Sequence, residues 1–318
     1  MAGEYGPCRF GKYVVEQMRV LKEVGIDLPI RTSMANGSYR DLGLSSQFER
    51  LTWKGVVVID YLQKLLWRTR PYEQVSGQSD ILFTEYMARI TGHIRRKQDM
   101  DTTLKHATSE FKSLIDLQLP KKPLVGINGE IYLRSNRFSN GDVVRECEEA
   151  GLEVVVSSIA EWVNFTSYTT VREAIEYRKI GQLLDGYVRK VVREYDERSV
   201  ARHYREMLPD RESSIEEILA RSSPYLPSQC RSEALLSIGG GIGWLENPAI
   251  AGIISVMPHG CMPGGIVAAI SEKLSVAYQK PCISLTYDGF LETNNSSRIG
   301  EFAELIKFCS GDRPIGTR

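Results

Sequence analysis

Apolar residues recur along this chain with two different periods, and the change of period divides it. In the first 120 residues the spacing is helical. Val14, Met18 and Leu21 share one helical face, and Gly25 follows where a C-terminal cap belongs. Ile26 to Ile30 is short and extended, and residues 31–48, rich in Ser, Asn and Gly, read as loop and turn. Val56 to Trp67 opens a helix expected to run to Arg70 and to pack in the core. Ile81 to Leu119 is expected to be helical, with Phe83, Met87, Ile90 and Ile94 on one face.

Beyond Lys121 and Pro123 the pattern alternates between short apolar runs and helical stretches. Leu124–Ile127 reads as a buried strand, with Gly129–Leu133 as its continuation or the loop at its end. Val143–Ala150 reads as a helix ended by Gly151, and Leu152–Val156 as a second strand. A strand–helix–strand unit about 30 residues long is the signature of a parallel sheet. Val171–Leu219 is mostly helical by pattern, and Ala234–Leu245 fits helix and strand alike. Ile253–Val256 and Pro281–Leu285 are expected as strands, Gly265–Tyr278 and Arg298–Cys309 as helices. The expected class is α/β: Rossmann-like parallel sheet domains with helices on both faces and a helical segment joining them. Residues 1–120 would be the mostly helical remainder of a first α/β domain, and residues 121–318 a second domain holding the sheet.

Composition narrows the class further. Of 318 residues, 42% are hydrophobic and 25% charged, as in an ordinary globular protein, and 40 basic residues balance 40 acidic ones. A balance of zero offers no polyanion-binding field, so nucleic acid is not an expected partner. No apolar run reaches the length of a membrane helix, and the first residues lack the apolar core of a signal peptide. The expectation is a cytoplasmic protein, whose six widely spaced cysteines do not make a disulfide framework and whose thiols at turns read as ligands or redox groups.

Two of those cysteines share a setting. Cys261 ends an apolar run at a turn made by Pro258 and Gly260, then enters a helix through Pro263 and Gly264. Cys8 lies between Gly6-Pro7 and Gly11, ahead of the helix at Val14. A helix N-terminus carries partial positive charge and unpaired N–H groups, which favour a thiolate and can donate to cluster sulfurs or other anions. In a parallel sheet such groups gather beyond the carboxyl ends of the strands, as do Glu130, Tyr132, Ser157–Trp162, His259 and Asp288. Cys147 reads as a surface or half-buried helix residue, Cys282 as strand packing and Cys309 as the end of the last helix. Cys230, in a loop, is a candidate for an extra ligand. No Cys-x-x-Cys spacing exists. His259 is too close in sequence to Cys261 to face it dependably. The glycines at 239–241 and 243 lack the Lys and Ser/Thr of a phosphate loop, so close helix packing or a turn is expected there.

These motifs together resemble the 2-hydroxyacyl-CoA dehydratase D-component-like family, over nearly the whole chain. The carriers are Gly6–Tyr13 (GPCRFGKY), Gln63–Leu66 with Thr69–Glu73 (TRPYE), and Val125–Arg134 (VGINGEIYLR). To these add Val256–Pro258 with Cys261–Gly264 (CMPG), and Leu285–Gly289 with Asn294, Arg298 and Phe302. The resemblance implies an oxygen-sensitive iron–sulfur protein of anaerobic metabolism, holding a [4Fe-4S] or double-cubane cluster. An ATP-hydrolysing activator would deliver low-potential electrons to it for a reductive or radical dehydration. Cys8 and Cys261 match the family's cluster cysteines, with Glu130, Tyr132 and Arg134 as polar groups near them. The implied partners are the activator, a partner subunit or a second copy in a homodimer, and an acyl-CoA or small-molecule substrate. Relatives carry a further cysteine before the GPCRFG motif, so this chain is expected to be N-terminally short and its cluster incomplete without another ligand. Two other readings stay open: a cluster-free interaction subunit or truncated member, and a thiol-dependent acyl-CoA-binding protein with Cys261 reactive.

Overall fold

The computed structural model describes residues 12–28, 30, 45–208, 212–230, 232–289 and 294–309. By its internal contacts the chain divides into two compact units, residues 1–54 and 55–318. In the first, α1 (Tyr13–Glu23) ends as the sequence predicts. Gly25 takes a left-handed φ of 75°, while its N–H and that of Ile26 return to the carbonyls of Lys22 and Leu21. Helix α2 (Ser46–Thr69) starts about ten residues before the expected Val56 and runs on into the second unit.

The second unit is an α/β fold. Its four strands are β1 (Leu124–Gly129), β2 (Glu153–Val156), β3 (Ile250–Pro258) and β4 (Cys282–Tyr287). They lie in the order β2-β1-β3-β4, and every pair is parallel. All four coincide with runs read as strands, because a strand buried on both faces is a nearly continuous apolar run.

Helices cover both faces. On one, α6 (Val143–Glu149) and α12 (Asn295–Cys309) bury Val143, Cys147, Ile299, Phe302 and Ile306 against Val125, Ile127, Val154, Ile254 and Leu285. On the other, α10 (Ala234–Glu246) and α11 (Met262–Tyr278) pack Ile238, Ile242, Val267 and Leu274 against Ile253. The glycines around 240 therefore sit inside a helix. A Cβ on Gly239 would lie 2.0 Å from the carbonyl oxygen of Ile218 in α9 (Ile215–Ser222), so they serve close packing rather than phosphate binding. Buried Asn128 of β1 ties the layers together. Its amide donates to the Ser237 carbonyl (2.9 Å) and its carbonyl accepts from the Ser255 hydroxyl (2.6 Å).

Elsewhere the pattern misled in detail. The long helix expected over 81–119 is two helices, α3 (Gln78–Arg96) and α4 (Asp101–Ser113). Lys97 turns left-handed at φ 53°, and the Asp99 carboxylate accepts the Asp101 N–H to start the second helix. Of Gly129–Leu133, only Gly129 continues the strand; Glu130 caps, and Ile131–Leu133 enter, the short helix α5 (Ile131–Ser135). The stretch over 171–219 resolves into α7 (Ile159–Glu176), α8 (Ile180–Ala201) and α9. Cys147 is fully buried rather than half-exposed, because its helix turns that side chain into the core against the sheet. Among the described residues no helix is long and apolar enough to cross a membrane.

The TRPYE segment clamps the helical layer to the sheet. The Arg70 guanidinium donates to Glu148 of α6 at 2.7 and 3.0 Å and to Asp80 of α3 at 3.0 Å. The Tyr72 hydroxyl donates to Glu153 of β2 (2.7 Å) and accepts the Lys122 N–H. Glu73 accepts from Gly77 N–H, Ser79 N–H and the Ser79 hydroxyl, which fixes the start of α3.

Candidate functional site at the carboxyl edge of the sheet

Strands leave β1 in opposite directions, so the order of the sheet reverses between β1 and β3. Crevices at such reversals are where parallel sheets bind ligands. The turn after β1 is drawn tight. Gly129 has φ 119°, and a Cβ there would fall 1.9 Å from the Val256 carbonyl oxygen, so only glycine lets β1 end so close to β3. Glu130 follows as the N-cap of α5, accepting from the N–H groups of Tyr132 (3.2 Å) and Leu133 (2.8 Å). Tyr132 is exposed. Arg134 is buried and donates to the carbonyls of Gly129 (3.2 Å) and Ser158 (2.8 Å).

The turn after β2 is also met by side chains of the chain itself. The Ser158 hydroxyl accepts the Glu161 N–H at the start of α7, and the Asp60 carboxylate, reaching from α2, accepts those of Ile159 (3.2 Å) and Ala160 (2.9 Å). Asp60 and Lys64 lie one turn apart on α2, and with Arg134 and Ser158 they line a cleft of about 240 Å³. Around them the interior is ionic. Lys64 pairs with Glu212, Glu161 lies 3.7 Å from Arg134, and Glu197 accepts from the Asn164 amide (3.0 Å).

Burial dominates the titration of these groups. It raises the pKa of Asp60 against the pull of Lys64 and the two backbone N–H groups. It raises Glu161 against Arg134 and Lys64, and Glu197 against its bond to Asn164. It lowers Lys64 although Asp60, Glu197 and Glu161 all favour the cation. Two atoms are left over: Arg134 Nε and Glu161 Oε1 are buried without a hydrogen-bond partner among the described residues.

The turn after β3 is different. His259, exposed, closes it by donating its N–H to the Tyr287 carbonyl (2.8 Å), and Gly260 takes φ 68°. Cys261, half-buried, is the N-cap residue of α11, with extended backbone angles of −75° and 120° and no side-chain cap bond. Its N–H reaches back to the Pro258 carbonyl (3.1 Å), and its carbonyl accepts the Gly265 N–H to begin the helix. This is the strand–turn–helix setting expected of it, with Pro263 in the first helical turn.

The other cysteines lie elsewhere. Cys282 opens β4, pairing with Ile253, and so lies toward the amino edge of the sheet, opposite the turn at Cys261. Burial pushes its thiol up to about 12. Cys147 is in the core, where burial and the adjacent Glu146 and Glu148 push its thiol up strongly. Cys230 ends an exposed turn and Cys309 ends α12, also exposed. Cys8 lies outside the described residues. Among those described, no three His, Cys, Asp or Glu side chains come together as a metal site would need.

Asp60 and Lys64 escaped the sequence reading, which gave all of Val56–Trp67 to core packing. A signal was present: an acid and a base four residues apart in an otherwise apolar helix face charge a surface that would be buried. Comparison with known protein families, with curated proteins and with solved structures finds no match.

Proposed function

We propose that this chain is an iron–sulfur protein of the 2-hydroxyacyl-CoA dehydratase type, with Cys261 and Cys8 as cluster ligands. One observation carries the reading: Cys261 starts a helix at the carboxyl end of a central strand, beside the reversal of the sheet. There Cys261 is the N-cap residue at the positive end of α11, and its side chain makes no cap bond, whereas Glu130 and Ser158 cap α5 and α7 with oxygen. The described residues fit one ligand position, and the resemblance adds Cys8. The remaining positions fall to groups outside this set, such as a partner subunit's. When bound, the cluster supplies a low-potential electron received from an ATP-hydrolysing activator. An acyl-CoA or a small molecule would meet it along the carboxyl edge.

The protein's own contribution is electrostatic and steric. N–H groups at the start of α11 offset negative charge on the thiolate and its ligands. Gly260 and Pro263 shape the turn that carries Cys261, and the tight β1 turn ties Glu130 to the Val256 carbonyl of β3. Anaerobic purification and reconstitution of the full chain, followed by iron and acid-labile sulfide analysis, tests this. Iron and sulfide should bind in comparable amounts and fall to background in Cys261→Ser and Cys8→Ser. A chain that takes up neither, or a Cys261→Ser variant that takes up as much as the parent, overturns the reading.

A further inference from the structure

Helix α8 exposes an apolar stripe that none of the described residues covers. Ile180, Leu184, Tyr187, Val188, Val191 and Tyr195 are each 49–72% exposed. At 3.6 residues per turn they occupy one band about 100° wide. The opposite side of α8 holds buried Asp196 and Val200, together with Gly186, where a Cβ would lie 2.8 Å from a Val171 methyl of α7. Charged residues beside the band are answered within the chain. Asp185 pairs with Arg189, and Lys190 with Glu216 of α9. What remains is an uninterrupted hydrophobic face.

We propose that this face is the interface of a two-fold homodimer in which two copies of α8 pack antiparallel. The spacing itself argues for a second copy. About the midpoint between Tyr187 and Val188 the stripe is symmetric: Leu184 and Val191 are equidistant from it, as are Ile180 and Tyr195. A two-fold contact requires a patch complementary to itself. Antiparallel pairing sets each Tyr187 against the other copy's Val188, each Leu184 against Val191 and each Ile180 against Tyr195. The central pairs place a larger side chain on a smaller one, which two helices can interdigitate. The six side chains expose on the order of 800 Å² per copy, about what each partner gives to a standard interface. Leaving that much contiguous apolar surface in water is unusual for a monomer. The proposal is independent of the cluster, since mass is read without iron.

Sedimentation velocity of the full chain should give a particle of twice the 35.9 kDa chain mass. The double variant Leu184→Glu with Val191→Glu changes only exposed positions, so it should keep its circular dichroism spectrum while the dimer dissociation constant rises about a hundred-fold or more. Val188→Cys places a thiol beside the two-fold axis, and mild oxidation should give a covalent dimer at yields the unsubstituted chain does not reach. A parent protein that stays monomeric at every concentration overturns the proposal. So does a dimer that survives the double glutamate variant, or a stripe that binds lipid vesicles while the protein remains a monomer.

Discussion

At the β1 and β2 end of the carboxyl edge each helix begins on an oxygen of the chain itself, whereas at the β3 end α11 begins on Cys261 with no side-chain cap bond. The first region is saturated. Glu130 takes two N–H groups of α5, Asp60 takes two of α7, and Ser158 takes a third. A phosphate or carboxylate ligand arriving there would have to displace a bonded carboxylate. At α11 the N-cap residue is Cys261, whose thiol is a far weaker acceptor than a carboxylate and makes no cap bond. Two stretches of one edge are therefore built differently: one locks the helical layer to the sheet through oxygen acceptors, and the other starts its helix on a thiol residue.

The saturated region is the easier to break. Asp60→Ala removes the acceptor for two backbone donors and leaves Lys64 buried with fewer acids around it. Each backbone donor left buried without its acceptor costs about 1–3 kcal/mol. Urea unfolding of the variant should show a loss of that size, with Asp60→Asn intermediate because its carbonyl oxygen can still accept. If Asp60→Ala were neutral, the α2 carboxylate would be a bystander, and the contrast between the two ends would disappear.

A smaller effect sharpens the electrostatics of the same region. Burial holds the folded pKa of Glu161 above its ordinary value despite Arg134 and Lys64. The folded state then binds the proton more tightly than the unfolded chain does. That stabilisation is fully present below the unfolded value and is lost as pH rises from about 4 through the folded value. Glu161→Gln cannot titrate, so its stability relative to the parent should improve as pH rises over that window. Urea midpoints of both proteins between pH 4 and 7.5 measure it. The reverse slope would mean that Arg134 and Lys64 outweigh burial, and that this corner is an ion pair rather than a protonated acid.

Sequence and structure part company along this same contrast. All four strands were legible because buried parallel strands are apolar runs bounded by Gly and Pro, and Cys261 was legible because its turn is written in consecutive residues. The Asp60–Lys64 cluster was not. Its members come from α2, α5, α7, α8 and the segment before α9, and only folding brings residues 60, 134, 161, 197 and 212 together. Local pattern also could not tell that Arg70, Tyr72 and Glu73 act as a clamp, since their partners lie on α6, β2 and α3. Cys147 was misplaced for a related reason: its neighbours in sequence are charged, while its neighbours in space are the sheet.

The smallest expected effect bears on why a cysteine stands at the start of α11. The N-cap position favours Ser, whose hydroxyl accepts the N–H two or three residues on. Cys261 already holds the extended backbone that such a cap requires. Cys261→Ser should therefore raise stability, by about 0.5–1 kcal/mol at most. The same variant should abolish any iron binding. Thermal unfolding of the apo-protein measures the first and metal analysis the second. A gain in stability with a loss of iron would mark Cys261 as a residue that serves chemistry at the expense of its helix. A clear loss of stability would instead mean that the thiol is a packing group, and the softer end of the edge would be no different in kind from the end that Asp60 and Glu130 hold shut.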